Sequence, residues 1–340
     1  MANKVTLLPS QHSFSIEKNE TLLEAALRSG LSVDYGCSNG ACGKCQAKVI
    51  SGQIEKNGFQ DYVFSEAEKL AGQILLCRCI ALTDAVLETR EATDTNEIPL
   101  QHLKAKIKKI ESPTNDVKIV HIRTPRSQRL RYIAGQRVKL INAKNDQRSY
   151  SVASCPCDAL NQQFHIPYHP DDEFLSTLLD PDQANLSVEI EGPTGTFILQ
   201  ETSTRPILFI ACNTGFAPVK GLIEHALQLE LSQDTHLILM SDNENGHYMH
   251  NYCRSISDAV DNFFYHPLTI DTKLITDDKQ TDQLARNLIA ALTDATKLLP
   301  PLEQHDIYIS AEPNIGEICE NFFTRAGVDP IHLLQETPST

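Results

Sequence analysis

Three cysteines on one short loop and a fourth further along the chain limit what this sequence can fold into. Cys37, Cys42 and Cys45 follow the spacing C-x4-C-x2-C, and Cys77 comes after 31 intervening residues. Four thiolates with this spacing are typical of the ligands of a [2Fe–2S] cluster. Because iron–sulfur clusters carry one-electron chemistry, the motif predicts an electron-transfer protein.

The residues around these cysteines favour a cluster over other metal sites. Glycines at positions 36, 40 and 43 allow unusual backbone conformations and let N–H groups approach the sulfur atoms. A zinc site is the alternative, but zinc ligands favour C-x2-4-C pairs and a second such pair is missing. We expect Cys79 to lie near Cys77 without binding the cluster. The remaining cysteines are expected to be buried small hydrophobic residues: Cys155, Cys157, Cys212, Cys253 and Cys319.

The length and composition describe a globular protein of more than one domain. At 340 residues the chain exceeds one ordinary core, so we expect two or three domains. The longest apolar stretch, Ile207–Cys212, is far shorter than the roughly 20 residues that span a bilayer, so no membrane span is expected. The sequence begins without a signal-peptide pattern. Ten cysteines without such a signal indicate a reducing compartment, and the cytoplasm is the expected location.

The chain is acidic, with a formal net charge of −14. A nucleic-acid partner requires a basic patch, so the charge argues against nucleic-acid binding. The imbalance is concentrated in residues 201–340, which hold 8 basic and 20 acidic residues. This local excess of acid disfavours a phosphate-containing ligand in the last third of the chain.

The first domain is predicted at residues 1–90 and a linker at 91–99. Strand-like runs open the domain, and a helix follows over Glu20–Ser29 with Asn19 as the expected N-cap. Residues 91–99 are polar and end in proline. This composition predicts a linker that lets the first domain swing.

Two further domains are predicted from a change in the period of the apolar residues. Residues 100–200 alternate β-like runs with turns and predict a small antiparallel β-barrel. Residues 201–340 alternate short buried strands with helical patterns over Val219–Leu231 and Asp282–Leu292. This alternation is typical of a parallel-sheet α/β domain, so the chain is predicted to combine α+β, β and α/β units.

Two groups of residues carry a second chemical signal. Arg148-Ser-Tyr150-Ser151 follows a strand of the predicted barrel, and such residues can bind a phosphate and flank a flavin. Gly192-Pro-Thr-Gly195-Thr196 forms a glycine-rich turn about 40 residues later. Thr214-Gly215-Phe-Ala-Pro218 lies between a strand and a helix, where a helix N-terminus can receive a phosphate.

In this order the motifs resemble those of the ferredoxin–NADP reductase superfamily. The whole chain, from about residue 3 to 335, is similar to the bacterial branch with a fused N-terminal plant-type [2Fe–2S] ferredoxin domain. That branch includes the reductase components of multicomponent oxygenases and CDP-6-deoxyglucoseen reductase. The segments YGCSNGACGKCQAKVISG and LLCRCIALTD carry the strongest resemblance. It implies a β-grasp ferredoxin domain at 1–90, an FAD-binding barrel at 100–200 and an NAD(P)-binding-like domain at 201–340.

The resemblance also implies a function and a set of site residues. NADH gives a hydride to FAD, which passes single electrons through the cluster to a partner oxygenase or other iron enzyme. Ser151 and Ser310 match positions beside the reacting rings and are candidate catalytic residues. The positions that match the cofactor-binding residues are Arg148, Tyr150, Ser151, Gly192, Gly195, Thr196, Thr214, Gly215 and Pro218.

The sequence departs from the family pattern at both cofactor sites. Asp171-Asp172 replaces the usual Gly-Gly near the FAD pyrophosphate, and acids there oppose a bound phosphate. Cys212-Asn213 and Ala311-Glu312 replace further glycine and small residues in the last domain. The segment 241–244 lacks an arginine for a 2′-phosphate, which favours NADH over NADPH.

Three functions are consistent with this pattern. The preferred one is an NADH-dependent reductase that feeds an oxygenase or a similar iron enzyme. The second is a non-catalytic electron carrier or docking protein with a degenerate nicotinamide site, and the third is a cluster-based redox sensor. Acidic side chains that fill the two cofactor clefts would favour the carrier.

Overall fold

Among the residues it describes, the computed structural model of the chain contains three large sheets, each with its own hydrophobic core, and a small sheet formed by Ile54–Lys56 and Cys79–Ala81. It describes residues 3–57, 63–92, 94–125, 128–157, 161–180, 187–242, 247–270 and 278–338. The first unit mixes helices with a mixed sheet, the second is antiparallel and the third is a parallel α/β sheet. The three predicted fold classes are therefore confirmed.

The first unit is a β-grasp sheet with the order β2-β1-β7-β3-β5, in which β1 and β7 run parallel. Helix α1 packs on this sheet through five buried residues. The elements are β1 (Asn3–Leu8), β2 (Ser13–Ile16), α1 (Leu22–Arg28), β3 (Gln46–Ser51), β4 (Ile54–Lys56), α2 (Glu66–Leu70), β5 (Gln73–Leu75), β6 (Cys79–Ala81) and β7 (Ala85–Thr89).

Helix α1 begins later than the sequence pattern predicts. Thr21, not Asn19, is the N-cap, and its hydroxyl accepts a hydrogen bond from the Glu24 N–H at 3.2 Å. The Glu24 carboxylate accepts one in return from the Thr21 N–H at 3.1 Å, which completes a capping box. Asn19 lies before the helix with a φ of 67°, a turn conformation that asparagine tolerates.

The second unit is a six-stranded antiparallel sheet with the order β11-β10-β13-β8-β9-β12. Its two outermost strands, β11 and β12, also approach each other, so the sheet curls into a nearly closed barrel. The elements are β8 (Gln101–Glu111), β9 (Val117–Arg123), β10 (Arg137–Ile141), β11 (Gln147–Ser151), β12 (Asn161–Pro167), α3 (Glu173–Leu178) and β13 (Ser187–Thr194).

The third unit is a five-stranded parallel sheet with the order β16-β15-β14-β17-β18. The central strands are buried at every position, as expected for a sheet covered by helices on both faces. The elements are β14 (Ile207–Cys212), α4 (Phe216–Gln228), β15 (Thr235–Ser241), α5 (His250–Ala259), β16 (Phe263–Thr269), α6 (Asp278–Thr296), β17 (Asp306–Ser310), α7 (Pro313–Arg325) and β18 (Leu333–Glu336).

The segment predicted as a swinging linker makes contacts with the rest of the chain. Glu91 pairs with Val33 of the first unit through an isolated β-bridge. Ala92 and Ile98 are buried in a small apolar cluster with Ile133 of the barrel. A swing of the first unit would have to break these contacts.

Several sequence-based expectations change at the level of single elements. The helices α5 and α7 and the edge strands β16 and β18 were not predicted, because most of their residues lie exposed or half-buried. Cys155 is buried as expected, whereas Cys157 is half-buried and its sulfur lies next to that of Cys155. None of the described helices has both the length and the apolar character of a bilayer span.

Candidate functional site

The four predicted cluster ligands form two pairs of sulfur atoms. The backbone N–H of Cys42 donates to Sγ of Cys37 at 3.2 Å, and the N–H of Cys37 donates to Sγ of Cys42 at 3.4 Å. The side chains of Cys45 and Cys77 are hydrogen-bonded to each other. Among the described residues no three ligand-type side chains meet around one metal ion. Two pairs fit a [2Fe–2S] cluster, because each of its two irons takes two thiolates.

The environment of Cys37 and Cys45 favours the thiolate form that binds iron, whereas the hydrogen bond with Cys45, and then burial, raise the pKa of Cys77. The hydrogen bond from Cys77 lowers the pKa of Cys45 to about 7, against the opposing effect of burial. Burial raises the pKa of Cys37, but the N–H groups of Asn39 and Cys42 outweigh it, so this pKa is also lowered. Backbone N–H groups directed at the sulfurs are the second-shell contacts that tune such clusters.

Two glycines let the loop pass close to the sulfurs. A Cβ on Gly36 would lie 3.1 Å from Sγ of Cys42. Gly40 has a φ of +86°, and a Cβ there would lie 3.0 Å from the Arg78 side chain. Larger residues at these positions would displace the ligand loop.

The cysteine loop faces the barrel rather than lying isolated at the end of the molecule. Cys37 and Cys42 line one side of a cleft, and Gln101 and Arg129 line the other. Next to this cleft, Nη2 of Arg131 donates to Oδ1 of Asp34 at 2.7 Å, which joins the barrel to the first unit. The cysteine loop therefore faces the barrel near the start of β8.

Arg148 lies on β11, as does Ser151, and its guanidinium is already paired. Nη1 lies 2.5 Å from Oδ2 of Asp172, and Nη2 lies 3.2 Å from Oδ1. The guanidinium also stacks over the Phe174 ring at 4.8 Å. Asp172 is the N-cap of α3 and accepts from the Leu175 N–H at 3.0 Å. Asp171, in contrast, has a side chain that is 93% exposed.

Tyr150 is buried in the barrel core beside the same group. Its ring centroid lies 6.3 Å from that of Phe174. Burial raises the pKa of Tyr150 to about 12, so the phenol is neutral at physiological pH. A neutral phenol can donate a hydrogen bond to a ligand.

Ser151 contacts a residue that the sequence does not reveal as functional. Its Oγ lies 3.3 Å from Oε1 of Glu336, which also accepts from Nη1 of Arg137 at 3.2 Å. Glu336 ends β18 and stands opposite Ser310 in the β17–β18 pair. Glu336 therefore contacts Ser151 through its carboxylate and pairs with the strand of Ser310 through its backbone. Glu336 lies 185 positions after Ser151, and no sequence motif links two residues so far apart.

The predicted glycine-rich turn lies beside this carboxylate. A Cβ on Gly195, whose φ is +97°, would lie 3.7 Å from the Arg137 side chain. Gly192 packs on Val138, where a Cβ would meet a methyl carbon at 2.8 Å. Thr196 is exposed next to Gly195. The structure thus brings this turn to the Arg137–Glu336 pair.

The third group of predicted residues lies at the carboxyl ends of β14 and β17. Thr214 and Gly215 form a tight turn before α4, and Pro218 is buried in the first turn of that helix. A Cβ on Gly215 would lie 2.2 Å from the carbonyl oxygen of Ser310, so only glycine fits. The Ser310 hydroxyl is buried and has no hydrogen-bond partner among the described residues.

Acidic side chains also reach this end of the parallel sheet. Nδ2 of Asn213 donates to Oδ1 of Asp242 at 3.3 Å. Burial, and then the charge of Asp242, raises the pKa of Glu312. The acids that depart from the family pattern therefore do lie at both predicted cofactor sites. At the barrel, the acid that occupies the site is Asp172.

Comparisons with known proteins match two of the three units to families. Residues 5–82 match the 2Fe-2S iron-sulfur cluster binding domain, and residues 104–198 match the oxidoreductase FAD-binding domain. The chain is 31% identical over 237 residues to the CDP-6-deoxy-L-threo-D-glycero-4-hexulose-3-dehydrase reductase of Yersinia pseudotuberculosis. That match covers 70% of this chain and 71% of the relative.

An oxygenase component and two solved structures show the same organisation. The chain is 27% identical over 249 residues to reductase component 1 of terephthalate 1,2-dioxygenase from Comamonas, with 73% of each covered. A cytochrome P450 reductase of Amycolatopsis has a TM-score of 0.59 at 24% identity over 99% of each chain. The ferredoxin reductase in carbazole 1,9a-dioxygenase has a TM-score of 0.58 at 19% identity, covering 99% of this chain and 98% of that one.

The residues fit the two cofactors that these families bind. The two sulfur pairs suit a [2Fe–2S] cluster, and the barrel unit matches the domain that binds FAD. Bound FAD supplies the exchange between two-electron and one-electron transfer. The chain is an oxidoreductase that transfers electrons, and it belongs to the family of iron–sulfur flavoprotein reductases that includes the CDP-6-deoxy-hexulose-3-dehydrase reductase of Yersinia and reductase components of oxygenases.

Proposed function

We propose that this reductase takes electrons from NADH and delivers them one at a time, through FAD and the [2Fe–2S] cluster, to a partner iron enzyme. The observation that carries the proposal is Glu336, which contacts Ser151 of the flavin strand and stands opposite Ser310 of the parallel sheet. This contact brings the flavin strand and the carboxyl end of the parallel sheet to one place. The cleft between the cysteine loop and the barrel supports the second transfer.

Each predicted site residue has a role in this proposal. Tyr150 and Ser151 hold the flavin ring, and Arg148 binds the FAD phosphates. The turn at Gly192, Gly195 and Thr196 shapes the same site. Thr214, Gly215 and Pro218 form the floor of the NADH site, where the unpartnered Ser310 hydroxyl donates to the nicotinamide.

The test is an anaerobic titration of the FAD-loaded protein with NADH and, separately, with NADPH. We expect NADH to bleach the flavin and then the cluster absorbance, because hydride enters at the flavin. NADPH is expected to act more slowly, since Asp242 directly follows β15, where an acid favours a free ribose 2′-hydroxyl. A flavin that stays oxidised with both nucleotides would contradict the proposal and favour a non-catalytic electron carrier.

The role of Ser310 can be tested with a matched serine. We expect Ser310→Ala to slow flavin reduction by NADH about tenfold, the effect of losing one hydrogen bond of about 1.4 kcal/mol. Ser241→Ala is the control, because Ser241 also ends a strand of the parallel sheet and its buried hydroxyl has no hydrogen-bond partner in the described part of the chain. Equal slowing in both variants, measured by stopped-flow absorbance, would contradict a specific role for Ser310.

The electron acceptor is proposed by class. The relatives include reductase components of terephthalate 1,2-dioxygenase and propane 2-monooxygenase, which supports an oxygenase or a similar iron enzyme as the partner. Cys79, Cys212, Cys253 and Cys319 are buried thiols outside the proposed set of cluster ligands, which supports a reducing compartment such as the cytoplasm.

A further inference from the structure

The basic residues of β10 and β11 are all engaged with acidic partners. Lys139 pairs with Glu191 at 2.8 Å, and Arg137 pairs with Glu336 at 3.2 Å. Arg148 pairs with Asp172 through two N–H···O contacts. These strands therefore present no uncommitted cation, although FAD carries two phosphate charges.

The Arg148–Asp172 pair is the strongest of the three by geometry. The carboxylate accepts from two guanidinium nitrogens, and Oδ1 also accepts from the Leu175 N–H at 3.0 Å. Arginine uses the same two-pronged geometry to bind a carboxylate or a phosphate. A phosphate and the Asp172 carboxylate therefore cannot hold these N–H groups at the same time.

We propose that Asp172 competes with the FAD pyrophosphate for Arg148 and thereby sets the affinity of the protein for FAD. Binding of FAD then requires that the Asp172 carboxylate release the guanidinium, which costs part of the binding free energy. The protein holds FAD reversibly, and the empty site is stabilised by its own ion pair. This proposal rests on FAD as the cofactor and is independent of the electron donor.

The test measures how tightly the full-length protein binds FAD. The protein is first freed of FAD, and the dissociation constant is then obtained from the quenching of FAD fluorescence at fixed ionic strength. Asp172→Asn removes the charge but keeps an N-cap oxygen for the Leu175 N–H. We expect this variant to bind FAD at least tenfold more tightly than the unmodified protein. Asp172→Ser, which also caps a helix, is expected to shift the affinity in the same direction.

Asp171→Asn is the matched control. It removes the same charge one residue away, but its carboxylate is exposed and lies 3.8 Å from Nδ1 of His169 rather than against an arginine. We expect its dissociation constant to stay within twofold of the unmodified protein. An equal gain in both variants would overturn the proposal, because the effect would then be one of net charge.

A double-variant cycle isolates the pair. If Asp172 acts through Arg148, the gain from Asp172→Asn disappears in an Arg148→Gln background. The same gain in that background, or no gain from Asp172→Asn or Asp172→Ser in the presence of Arg148, would overturn the proposal. Because the readout is FAD binding alone, a failure of NADH to reduce the flavin would leave this result unaffected.

Discussion

At the scale of single residues, the cysteines act in pairs that differ in exposure. Cys42 is exposed and Cys37 is half-buried, whereas Cys45 and Cys77 are buried. The outer pair, Cys37 and Cys42, accepts hydrogen bonds from backbone N–H groups. The inner pair, Cys45 and Cys77, is held by a hydrogen bond between its two side chains. The outer pair is thus the side of the cluster nearer to solvent and to the cleft that faces the barrel.

Substitution of Cys45, a member of the inner pair, tests the assignment of the cluster ligands. We expect Cys45→Ala to lose most of the iron and acid-labile sulfide, because one iron would keep a single protein thiolate. Iron and sulfide per chain measure the effect. Cys79→Ala is the control, since Cys79 is also a buried free cysteine and lies two positions from Cys77. Loss of the cluster in both variants would show that the ligand assignment is wrong.

Residue identity predicted the cysteine ligands but not the partners of the flavin-site residues. The spacing of four cysteines is specific because the cluster geometry demands it. Arg148 was recognised from a short motif, but its partner Asp172 lies 24 positions away and was expected only to oppose a phosphate. Which carboxylate meets which cation depends on how α3 packs on β11, and no local pattern encodes that packing.

At the scale of elements, the start of α1 shows how a local rule was applied to the wrong residue. Asn19 and Thr21 are both acceptable N-caps by residue type. Only Thr21 has an extended backbone and a glutamate three positions later, which together form the capping box. The T-x-x-E signature was present in the sequence and would have placed the start correctly.

We expect Thr21→Ala to lower the free energy of unfolding of the first unit by about 1 kcal/mol, because an N-cap is lost. Thermal unfolding followed by cluster absorbance measures the change. Asn19→Gly should leave it unchanged or slightly raised, since glycine tolerates the φ of 67° at that position. A larger loss for Asn19→Gly than for Thr21→Ala would restore Asn19 as the cap.

The short strand β18 has a role that its length does not suggest. It pairs with β17 and ends at Glu336, whose carboxylate reaches Arg137 and Ser151 of the barrel. Burial raises the pKa of Glu336, and the attraction of Arg137 opposes that shift only in part. The ionised carboxylate is therefore held in an unfavourable environment.

This pKa shift predicts a pH dependence of stability. A carboxyl whose folded-state pKa is raised stabilises the fold fully below its ordinary pKa of 4.5, and this contribution is lost as the pH rises through the raised value. The unfolding free energy of the unmodified protein minus that of Glu336→Gln should therefore fall as the pH rises from about 4 to neutrality. Chemical denaturation at a series of pH values measures this difference. A difference that grows with pH would contradict the expectation.

At the scale of the whole molecule, the first unit is docked on the barrel beside its cluster loop. The ion pair of Asp34 with Arg131 spans the two units at 2.7 Å, and the Arg131 side chain is only 11% exposed. Arg131 also lies 5.6 Å from the centroid of the Tyr35 ring. These contacts hold the cysteine loop towards the flavin domain.

We expect Arg131→Gln to weaken this docking by about 2 kcal/mol, the size of a partly buried charged hydrogen bond. In stopped-flow measurements the reduction of the cluster should slow while the reduction of the flavin by NADH is unchanged. Arg90→Gln is the control, because Arg90 is 65% exposed and lies 3.9 Å from Glu97. Equal rates of cluster reduction in Arg131→Gln and the unmodified protein would show that this contact does not position the cluster.

The sequence by itself determined the cofactor class and the order of the three units. Cysteine spacing, two-residue alternation in the barrel and strand–helix alternation in the last unit are local patterns, so they can be read without coordinates. The tertiary structure alone decided that Asp172 holds Arg148 and that Glu336 joins Ser151 to the strand of Ser310. These contacts link residues 24 and 185 positions apart, and the sheet order and packing that bring them together leave no periodic trace in the chain.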